Sequence, residues 1–250
     1  MLRQMKIASR FVTLTAAAIV VVLLLSFSLT YDYVSDQMIK AERLTLTELS
    51  ENILNEIASQ GQQAEAMAAL VASIPQVQKA FAEGDRTSLQ AMFADGFESM
   101  KQNFGVRQFQ FHSPPATSFL RIHKLGKYGD DLSSFRFTVV ETNKQKKPIA
   151  GLEIGRFGMG VRGVVPVAWK EQHVGSVEFG LSFDQAFIDK ISAEHAIEVD
   201  LKVWRKGQFE DFASSLKNQM LIPDSMRQNA IKQGSVYAQM TNGQIPVGVY

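Results

Sequence analysis

Cysteine is absent from the 250-residue sequence, which excludes a disulfide framework and thiolate metal sites. Histidine occurs four times, and none of the four lies in an H-E-x-x-H motif or another recognised zinc spacing. The sequence also lacks a G-x-S-x-G motif and a P-loop. The formal net charge of +1 leaves no basic footprint for nucleic acid. We therefore expect no metal, no other cofactor and no nucleic-acid partner.

The sequence does contain a long uncharged, apolar run near its N-terminus. The composition, 46% hydrophobic and 20% charged, is that of folded protein. Residues 11–31, "FVTLTAAAIVVVLLLSFSLTY", carry no charge. A helix of this length reaches about 30 Å, the thickness of the hydrocarbon core of a bilayer. The run predicts a transmembrane helix at residues 11–31 that contacts the lipid bilayer.

Charges on the two sides of this run predict its orientation. Arg3, Lys6 and Arg10 precede it, and Asp32 follows. The positive-inside rule then places residues 1–10 in the cytoplasm, and the chain after about residue 32 in the periplasm of a bacterial cell, anchored in the inner membrane. A signal peptide cleaved near "SFS" is the alternative, although the run is long for one. We favour the anchor, and both interpretations export the rest of the chain.

The next part of the chain, residues 32–105, is predicted to be a helical stalk. Residues 34–74 have the apolar spacing of one long helix, and "TSLQAMFADGFESMKQNF" predicts a shorter one. Two interpretations of the long helix stay open: it packs against its own domain, or it rises from the membrane as part of the seam of a homodimer. Its apolar positions are Leu46, Leu49, Ile53, Ile57, Ala64, Met67, Val71 and Ile74.

Residues 106–196 are predicted to form an α+β module in which helices lie against one small antiparallel sheet. "VRQFQFH" alternates apolar and polar residues, as a strand does. "GLEIGRF", "VRGVVPVAW" and "VGSVEFGLSF" predict three further strands, and "DQAFIDKISAEH" predicts a closing helix capped by Asp184. Helical spacing in "DDLSSFRFTVVETNKQ" predicts another helix, beginning at Leu132.

Residues 197–250 are predicted to be a partial second module. "IEVDLKVW" indicates a strand, residues 209–223 are loosely helical, and "GSVYAQM" and "QIPVGVY" are typical of strands. The last strand is left without a partner, and an unpaired apolar edge invites aggregation. We therefore interpret the sequence as a fragment of a longer protein.

One motif is set aside. "GMGVRG", residues 158–163, matches the G-x-G-x-x-G dinucleotide pattern, which requires a helix directly after it. The following residues are β-branched and include Pro166, so no helix is expected and the match is accidental. These glycines indicate turns, bulges or close backbone approach within strands.

Charges of both signs are concentrated in residues 121–136, "RIHKLGKYGDDLSSFR". An active site, a ligand pocket and a solvated loop all fit this composition. In a purely structural interpretation, Asp130 or Asp131 caps the following helix and Arg136 pairs with a nearby acid. Glu178 lies between apolar residues of a strand, so its carboxylate points to the opposite face, either outward to solvent or inward to a partner. Buried charges need partners, which favours a paired network with a gap for a ligand.

Two segments resemble a known family. "FQFHSPPATSFLRIHKLGKYGDDLSSFR" and "GLEIGRFGMGVRGVVPVAWKEQHVGSVEFGLSF" resemble the double Cache-type extracytoplasmic sensor domain of bacterial methyl-accepting chemotaxis proteins and related signalling proteins. The resemblance covers residues 106–183 most closely. It implies two PAS-like modules in tandem on a long helix, with the ligand in the membrane-distal one. The aromatic and aspartate arrangement of the amino-acid-binding members is missing, so an amino-acid ligand is not carried over.

In such folds the segment between the early and central strands forms one wall of the pocket. We expect its cationic groups to face arginines of the strands and to hold a small molecule, such as a carboxylate or another anion, through paired hydrogen bonds. Asp130 and Glu153 would orient the arginines. The candidate ligand-binding residues are His112, Arg121, His123, Asp130, Arg136, Glu153, Arg156 and Arg162.

The sequence thus predicts a ligand-sensing ectodomain of a membrane-bound, homodimeric bacterial receptor, with a chemoreceptor favoured. It is not predicted to be an enzyme. The sensor portion of a diguanylate cyclase or a histidine kinase is one alternative. A membrane-anchored periplasmic enzyme using His112, His123 and Asp130 is a second, and a protein-binding adaptor is a third.

Overall fold

The computed structural model describes residues 7–155, 158–216, 222–242 and 245–250. Its elements, in chain order, are α1 (Ile7–Ser73), α2 (Pro75–Ala82), α3 (Arg86–Phe104), β1 (Val106–Ser113), β2 (Thr117–Arg121), a 3-10 helix (Ile122–Lys124), α4 (Phe137–Gln145), β3 (Ile149–Gly155), β4 (Gly158–Trp169), β5 (Gln172–Ser182), α5 (Gln185–His195), β6 (Asp200–Arg205), β7 (Gln208–Ser214), α6 (Asp224–Gln233), β8 (Ala238–Asn242) and β9 (Ile245–Val249).

The chain divides into two compact units. One comprises Met1–Ser50 and Met220–Tyr250. It contains the apolar start of α1, whose side chains at 11–31 are exposed. In the described part of the chain, α1 is the one helix long and apolar enough to cross a membrane, and its most apolar window has a mean hydropathy of 2.5. Its strands β8 and β9 pair in antiparallel fashion. The second unit, Glu51–Gln219, contains the larger sheet.

The larger sheet is antiparallel, with strand order β2-β1-β5-β4-β3. Residues paired directly across such strands point to the same face. Phe109 pairs with Phe179, and Phe111 with Val177, so these apolar side chains share one face. That face packs against α1, α2 and α3 through buried residues that include Ala64, Ala68, Val71, Val77, Phe81 and Leu89. We call it the helix face.

Local signals explain the helices that cover this face. Pro75 begins α2, where its missing N–H costs nothing. The Asp85 carboxylate accepts a hydrogen bond from the Ser88 N–H at the start of α3. Gly163 of β4 lets α1 approach closely, since a Cβ there would lie 2.1 Å from the Glu65 backbone nitrogen. The expected close backbone approach in "GMGVRG" is thus confirmed at this glycine.

The opposite face of the same sheet is polar, and we call it the polar face. Gln110 pairs with Glu178 and with Arg121, so these three side chains point to this side. Helix α4 packs on it, and a small apolar cluster forms there from Ala116, Leu132, Val139 and Val164. The remainder of this face carries the charged residues that the sequence singled out.

Most predicted elements are confirmed, including the long helix, the strands β1, β3, β4, β5 and β6, and the helix α5 with its Asp184 cap. The predicted helix start at Leu132 is wrong, because α4 begins at Phe137. The Asp131 carboxylate instead accepts hydrogen bonds from the N–H and hydroxyl of Ser133, which stabilises a turn. Leu132 is buried in the small cluster on the polar face.

Three further differences arise from strand pairing. The loosely helical pattern predicted at 209–223 is wrong where Gln208–Ser214 forms β7, which pairs with β6; residues 217–221 lie outside the described part. The strand β2 was not predicted and pairs with β1. The last strand is not unpaired, because β9 pairs with β8. In each case the structure depends on which strand the segment pairs with, and the sequence of the segment alone does not identify that partner.

Candidate functional site

Glu178 lies at the centre of the polar face, on the middle strand of the sheet, and its side chain is fully buried. Its Oε1 accepts a hydrogen bond from Nη2 of Arg136 at 2.5 Å, and its Oε2 accepts one from the Gln110 side-chain amide at 3.0 Å. Nη1 of Arg162 lies 3.6 Å from Oε1. The carboxylate is therefore surrounded by donors from two neighbouring strands and from the segment before α4.

Arg136 connects this centre to the edge strand β3. Its Nε donates to Oε2 of Glu153 at 2.6 Å. Glu153 also accepts from the backbone N–H of Thr138 at 2.7 Å and from its hydroxyl at 2.9 Å. Because Thr138 lies in the first turn of α4, Glu153 ties the start of that helix to the sheet. The predicted orientation of an arginine by Glu153 corresponds to this pair.

The side chain of Arg162 lies along the polar face of the sheet and reaches from β4 to β1. Its Nη1 donates to Oε1 of Gln108 at 2.6 Å. Glycines make room for it: a Cβ at Gly180 would lie 2.2 Å from Nη1 of Arg162, and one at Gly160 would lie 3.0 Å from its Cζ. Within the described residues, the buried Nε of Arg162 and Oε1 of Gln110 have no hydrogen-bond partner.

Arg121 and Asp130 form a separate pair at the edge of this network. Nη1 and Nη2 of Arg121 donate to the two carboxylate oxygens of Asp130 at 2.7 and 3.0 Å. Nη1 also donates to the backbone carbonyl of Lys127 at 2.9 Å. The hydrogen bonds from Arg121 lower the pKa of Asp130, which keeps this carboxyl ionised.

The histidines lie at different depths. His112 is fully buried, with its Nε2 3.4 Å from Oε2 of Glu178. Burial lowers the pKa of His112 to about 3, although the charge of Glu178 opposes this, so the ring is neutral at physiological pH. Nδ1 of His123 lies 3.1 Å from the Phe109 carbonyl oxygen, and burial lowers the pKa of His123 as well.

Burial and charge act in opposite directions on the acidic and basic groups of the network. Burial alone would raise the pKa of Glu178, but Arg136 and Arg162 outweigh it and lower this pKa to about 2. Burial lowers the pKa of Arg162. For Arg136 the nearby Glu178 and Glu153 outweigh burial and raise its pKa. Glu178 therefore stays charged at the centre of a buried site.

Above these groups lies a small cavity of about 60 Å³. A typical pocket for a drug-sized ligand is larger by several fold, at about 300–1,000 Å³, so this cavity suits a compound of a few heavy atoms unless its walls move. Its lining residues are Gln108, Gln110, Arg121, His123, Lys124, Lys127, Asp130, Leu132, Phe135, Arg136, Gly155 and Arg162.

The structure brings most of the predicted site residues together. Arg121, His123, Asp130, Arg136 and Arg162 line the cavity. Glu153 and His112 do not line it, because Glu153 is held behind Arg136 and His112 is enclosed beneath Glu178. Glu153 and His112 thus act on a ligand through their neighbours or not at all.

One predicted residue is not placed, and others were missed. Arg156 lies outside the described residues. Gln108 and Gln110 line the cavity but were not predicted, and their signal was available, since they alternate with Phe109 and Phe111 in β1. Lys124 and Lys127 also line it, and nothing in their local sequence distinguishes them from solvated lysines.

The chain belongs to a sensory family. Residues 40–237 match the dCache_3 family, the double sensory domain of two-component sensor kinase. More than half of the chain is matched, and the confirmed Cache-type fold agrees with it: a long apolar N-terminal helix followed by antiparallel sheets and packed helices. The chain is thus a sensory domain by family, and no match is found among curated proteins.

Two solved structures with TM-scores above 0.5 show the same fold at low identity. The ligand-binding domain of the Campylobacter jejuni chemoreceptor Tlp3, in complex with 4-methylisoleucine, has a TM-score of 0.56 and 11% identity over 84% of each chain. The sensor domain of the V. cholerae histidine kinase DctB has a TM-score of 0.51 and 9% identity over 82% of each chain. An extracellular ligand-binding receptor from Desulfohalobium retbaense DSM5692 has a TM-score of 0.49 and 16% identity, and the alignment covers 82% of this chain but only 36% of that receptor.

Proposed function

We propose that this chain is the ligand-sensing ectodomain of a membrane-anchored bacterial receptor, and that it binds a small carboxylate in the cavity on the polar face. In this proposal residues 11–31 span the inner membrane, the N-terminus is cytoplasmic, and the sensory unit is periplasmic. The chain performs no chemistry of its own. Membership of the dCache_3 family and the exposed apolar start of α1 support the proposal.

The observation that carries the proposal is a cavity bordered by buried hydrogen-bonding groups that are left open. Nε of Arg162 and Oε1 of Gln110, on side chains 4% and 2% exposed, have no partner within the described residues. Buried polar groups in proteins are almost always satisfied, so these two atoms beside the cavity are available to hydrogen-bond a guest. Guanidinium groups and the lysines at positions 124 and 127 favour an anionic one.

Binding of small acids tests the site directly. The full chain in lipid nanodiscs is titrated with acetate, propionate, lactate and succinate at constant ionic strength, and ligand-observed NMR reports binding. We expect saturable binding of at least one of these carboxylates and none of the corresponding neutral amides. Binding should weaken about tenfold or more in Arg162→Gln, because one charged hydrogen-bonding group is lost.

Arg107→Gln is the matched control, since Arg107 lies on β1 but is exposed and paired with Ser182 and Asp184 away from the cavity. It removes the same charge and should leave affinity unchanged. Absence of binding for every acid, or equal loss in both variants, contradicts the proposed site.

The membrane arrangement is tested on a background without native cysteines. Ile7→Cys should be labelled by a membrane-impermeant maleimide only after the inner membrane is opened. Gln90→Cys, on the exposed side of α3, should be labelled in intact spheroplasts. Labelling of both positions before lysis, or of neither, would contradict the predicted orientation.

We also propose a class of receptor and a dimeric assembly for this chain. We favour either a chemoreceptor or a two-component sensor kinase: the family description favours a sensor kinase, and the fold is shared with both a chemoreceptor and a histidine kinase sensor domain. A homodimer built along α1 would carry the signal. Such a receptor signals only if the ligand binds one of its two states more tightly than the other.

A further inference from the structure

The buried charges on the polar face are balanced before any ligand arrives. Three arginines, Arg121, Arg136 and Arg162, meet three carboxylates among the described residues of this network, Asp130, Glu153 and Glu178. The cavity is also lined by Lys124, which is exposed, and Lys127, which is half-buried, and solvent screens the charges of both. A carboxylate that simply added to the buried network would therefore be compensated only weakly, which is costly in a low-dielectric site. Exchange of a resident carboxylate for the ligand avoids this cost.

The three carboxylates differ in how firmly they are held. Glu178 and Glu153 have side chains that are 0% and 6% exposed, and both are bonded to Arg136. The side chain of Asp130 is 26% exposed, and among the described residues that line the cavity it is the one carboxylate. Its displacement into solvent therefore costs the least desolvation and repacking.

The backbone of Asp130 is fixed independently of its side chain. Its carbonyl accepts a hydrogen bond from the Ser118 N–H at 3.0 Å, and the neighbouring Gly129 N–H donates to the Ser118 carbonyl at 2.7 Å. Thr117 also forms a β-bridge with Asp131. The carboxylate can thus rotate out while the segment stays attached to β2.

We propose that Asp130 is a resident counter-ion that occupies the ligand's place on Arg121 and is displaced when a carboxylate ligand binds. The proposal rests on the proposed function and identifies the ligand's carboxylate with the position that Asp130 now occupies. The exchange keeps the buried network neutral, because one carboxylate replaces another across the same guanidinium fork. It also allows the small cavity to expand by the volume of the departing side chain.

The test compares affinities for acetate, with acetamide as the uncharged reference, for the full chain in nanodiscs at constant ionic strength. Asp130→Asn should bind acetate about tenfold more tightly than the wild type, since the competing ion pair is gone. Arg121→Lys should lose most of the affinity, because lysine lacks the guanidinium fork that donates a hydrogen bond to each of the two carboxylate oxygens.

Asp131→Asn is the matched control. It removes the same charge one residue away, but its carboxylate bonds Ser133 and does not line the cavity, so affinity should change by less than about twofold. If Asp130→Asn does not fold, as judged by its melting curve, Asp130→Ser takes its place with the same expectation.

The outcomes separate the two proposals. Tighter binding in the Asp130 variant than in the wild type, with no such gain in the Asp131 variant, supports the exchange. Unchanged or weaker binding in the Asp130 variant, with Arg162-dependent binding in the wild type, overturns the exchange and leaves the sensing site in place. Absence of acetate binding in every variant overturns the exchange, and the sensing site then depends on the titrations with the other acids.

Discussion

The two faces of the five-stranded sheet are built by the same strands and follow opposite rules. On the helix face, Phe109 stacks on Phe179 at 4.3 Å and contacts Phe93 at 5.0 Å between ring centroids. On the polar face of the same strands, Glu178 of β5 lies beside Arg162 of β4. Stability on the first face comes from apolar burial, which is non-directional, whereas on the second each group depends on a particular partner.

The two faces of the sheet differ in the substitutions that they tolerate. An apolar face tolerates substitutions that keep volume and shape, since dispersion and burial are spread over many contacts. The polar face cannot repack in this way, because loss of one charge leaves its partner buried and unpaired. The two faces should therefore respond differently to substitution, and variants on each face test this difference.

The largest effect is expected at the centre of the polar face. Glu178→Gln keeps the shape of the side chain but removes its charge, so Arg162 loses its acidic neighbour and Arg136 keeps only Glu153. We expect the free energy of unfolding to fall by about 3–5 kcal/mol. Urea unfolding of the full chain in detergent, followed by tryptophan fluorescence, measures it.

Glu141→Gln serves as its control, because Glu141 is partly exposed on α4 and pairs with Lys144 at the surface. Its loss should change stability by less than about 0.5 kcal/mol. Equal effects of the two variants would show that the buried charge at Glu178 contributes nothing specific.

A smaller effect is expected on the helix face. Gly163→Ala would place a Cβ 2.1 Å from the backbone nitrogen of Glu65 in α1, and a backbone cannot move aside as a flexible side chain can. We expect a loss of about 3 kcal/mol in the same unfolding measurement. Ligand affinity should stay unchanged, because this glycine lies on the face away from the cavity.

Gly96→Ala is the matched control, since no atom lies within 4 Å of its added Cβ in the middle of α3. This change should raise stability by about 0.5–1 kcal/mol, as expected for alanine replacing glycine in a helix. No loss of stability in Gly163→Ala, or a loss no greater than that in Gly96→Ala, would refute the close contact between α1 and β4.

The smallest effect is a pH dependence of stability that comes mainly from buried groups of the polar face. The folded-state pKa of His112 is about 3, below the ordinary value of 6.5, so the unfolded chain binds the proton first as pH falls. Stability is therefore full above pH 6.5 and declines below it, by about 2 kcal/mol between pH 6.5 and 5. The contribution of Glu178 is lost at lower pH, between about 4.5 and 2.

His112→Gln should remove most of the slope between pH 6.5 and 5, whereas His173→Gln should remove little, since His173 is less buried. His123 contributes in the same direction as His112, because burial also lowers its pKa. Phe111→Leu on the helix face should lower the whole curve without changing its slope. An unchanged slope in His112→Gln would contradict the neutral, buried state of this histidine.

Much of the fold was predictable because its signals are local. The alternation in β1 and the Asp184 cap of α5 each depend on a few adjacent residues. The start of α4 was not predictable from spacing alone, since the Asp131 turn competes with a helix over the same residues. The strand β7 has a weak pattern of its own and depends on its pairing with β6.

The sequence predicted which types of residue form the site, but not which of them pair with one another. The charged segment and the strand positions indicated arginines and carboxylates near one another. Which arginine binds which carboxylate follows from strand register, as with Gln110 opposite Glu178. The same register encloses His112, which the sequence had suggested as a ligand-binding residue, and brings Gln108 to Arg162.

Local sequence was enough to predict the apolar N-terminal helix, most of the helices and strands, and the presence of a polar side on an otherwise apolar sheet, because periodicity and composition are properties of neighbouring residues. The ion pairs and the cavity between them follow from the folded arrangement of the chain and could not be read from local sequence. Those depend on distances between residues far apart in the chain, such as the 2.5 Å between Arg136 and Glu178, and on which of their charges are buried.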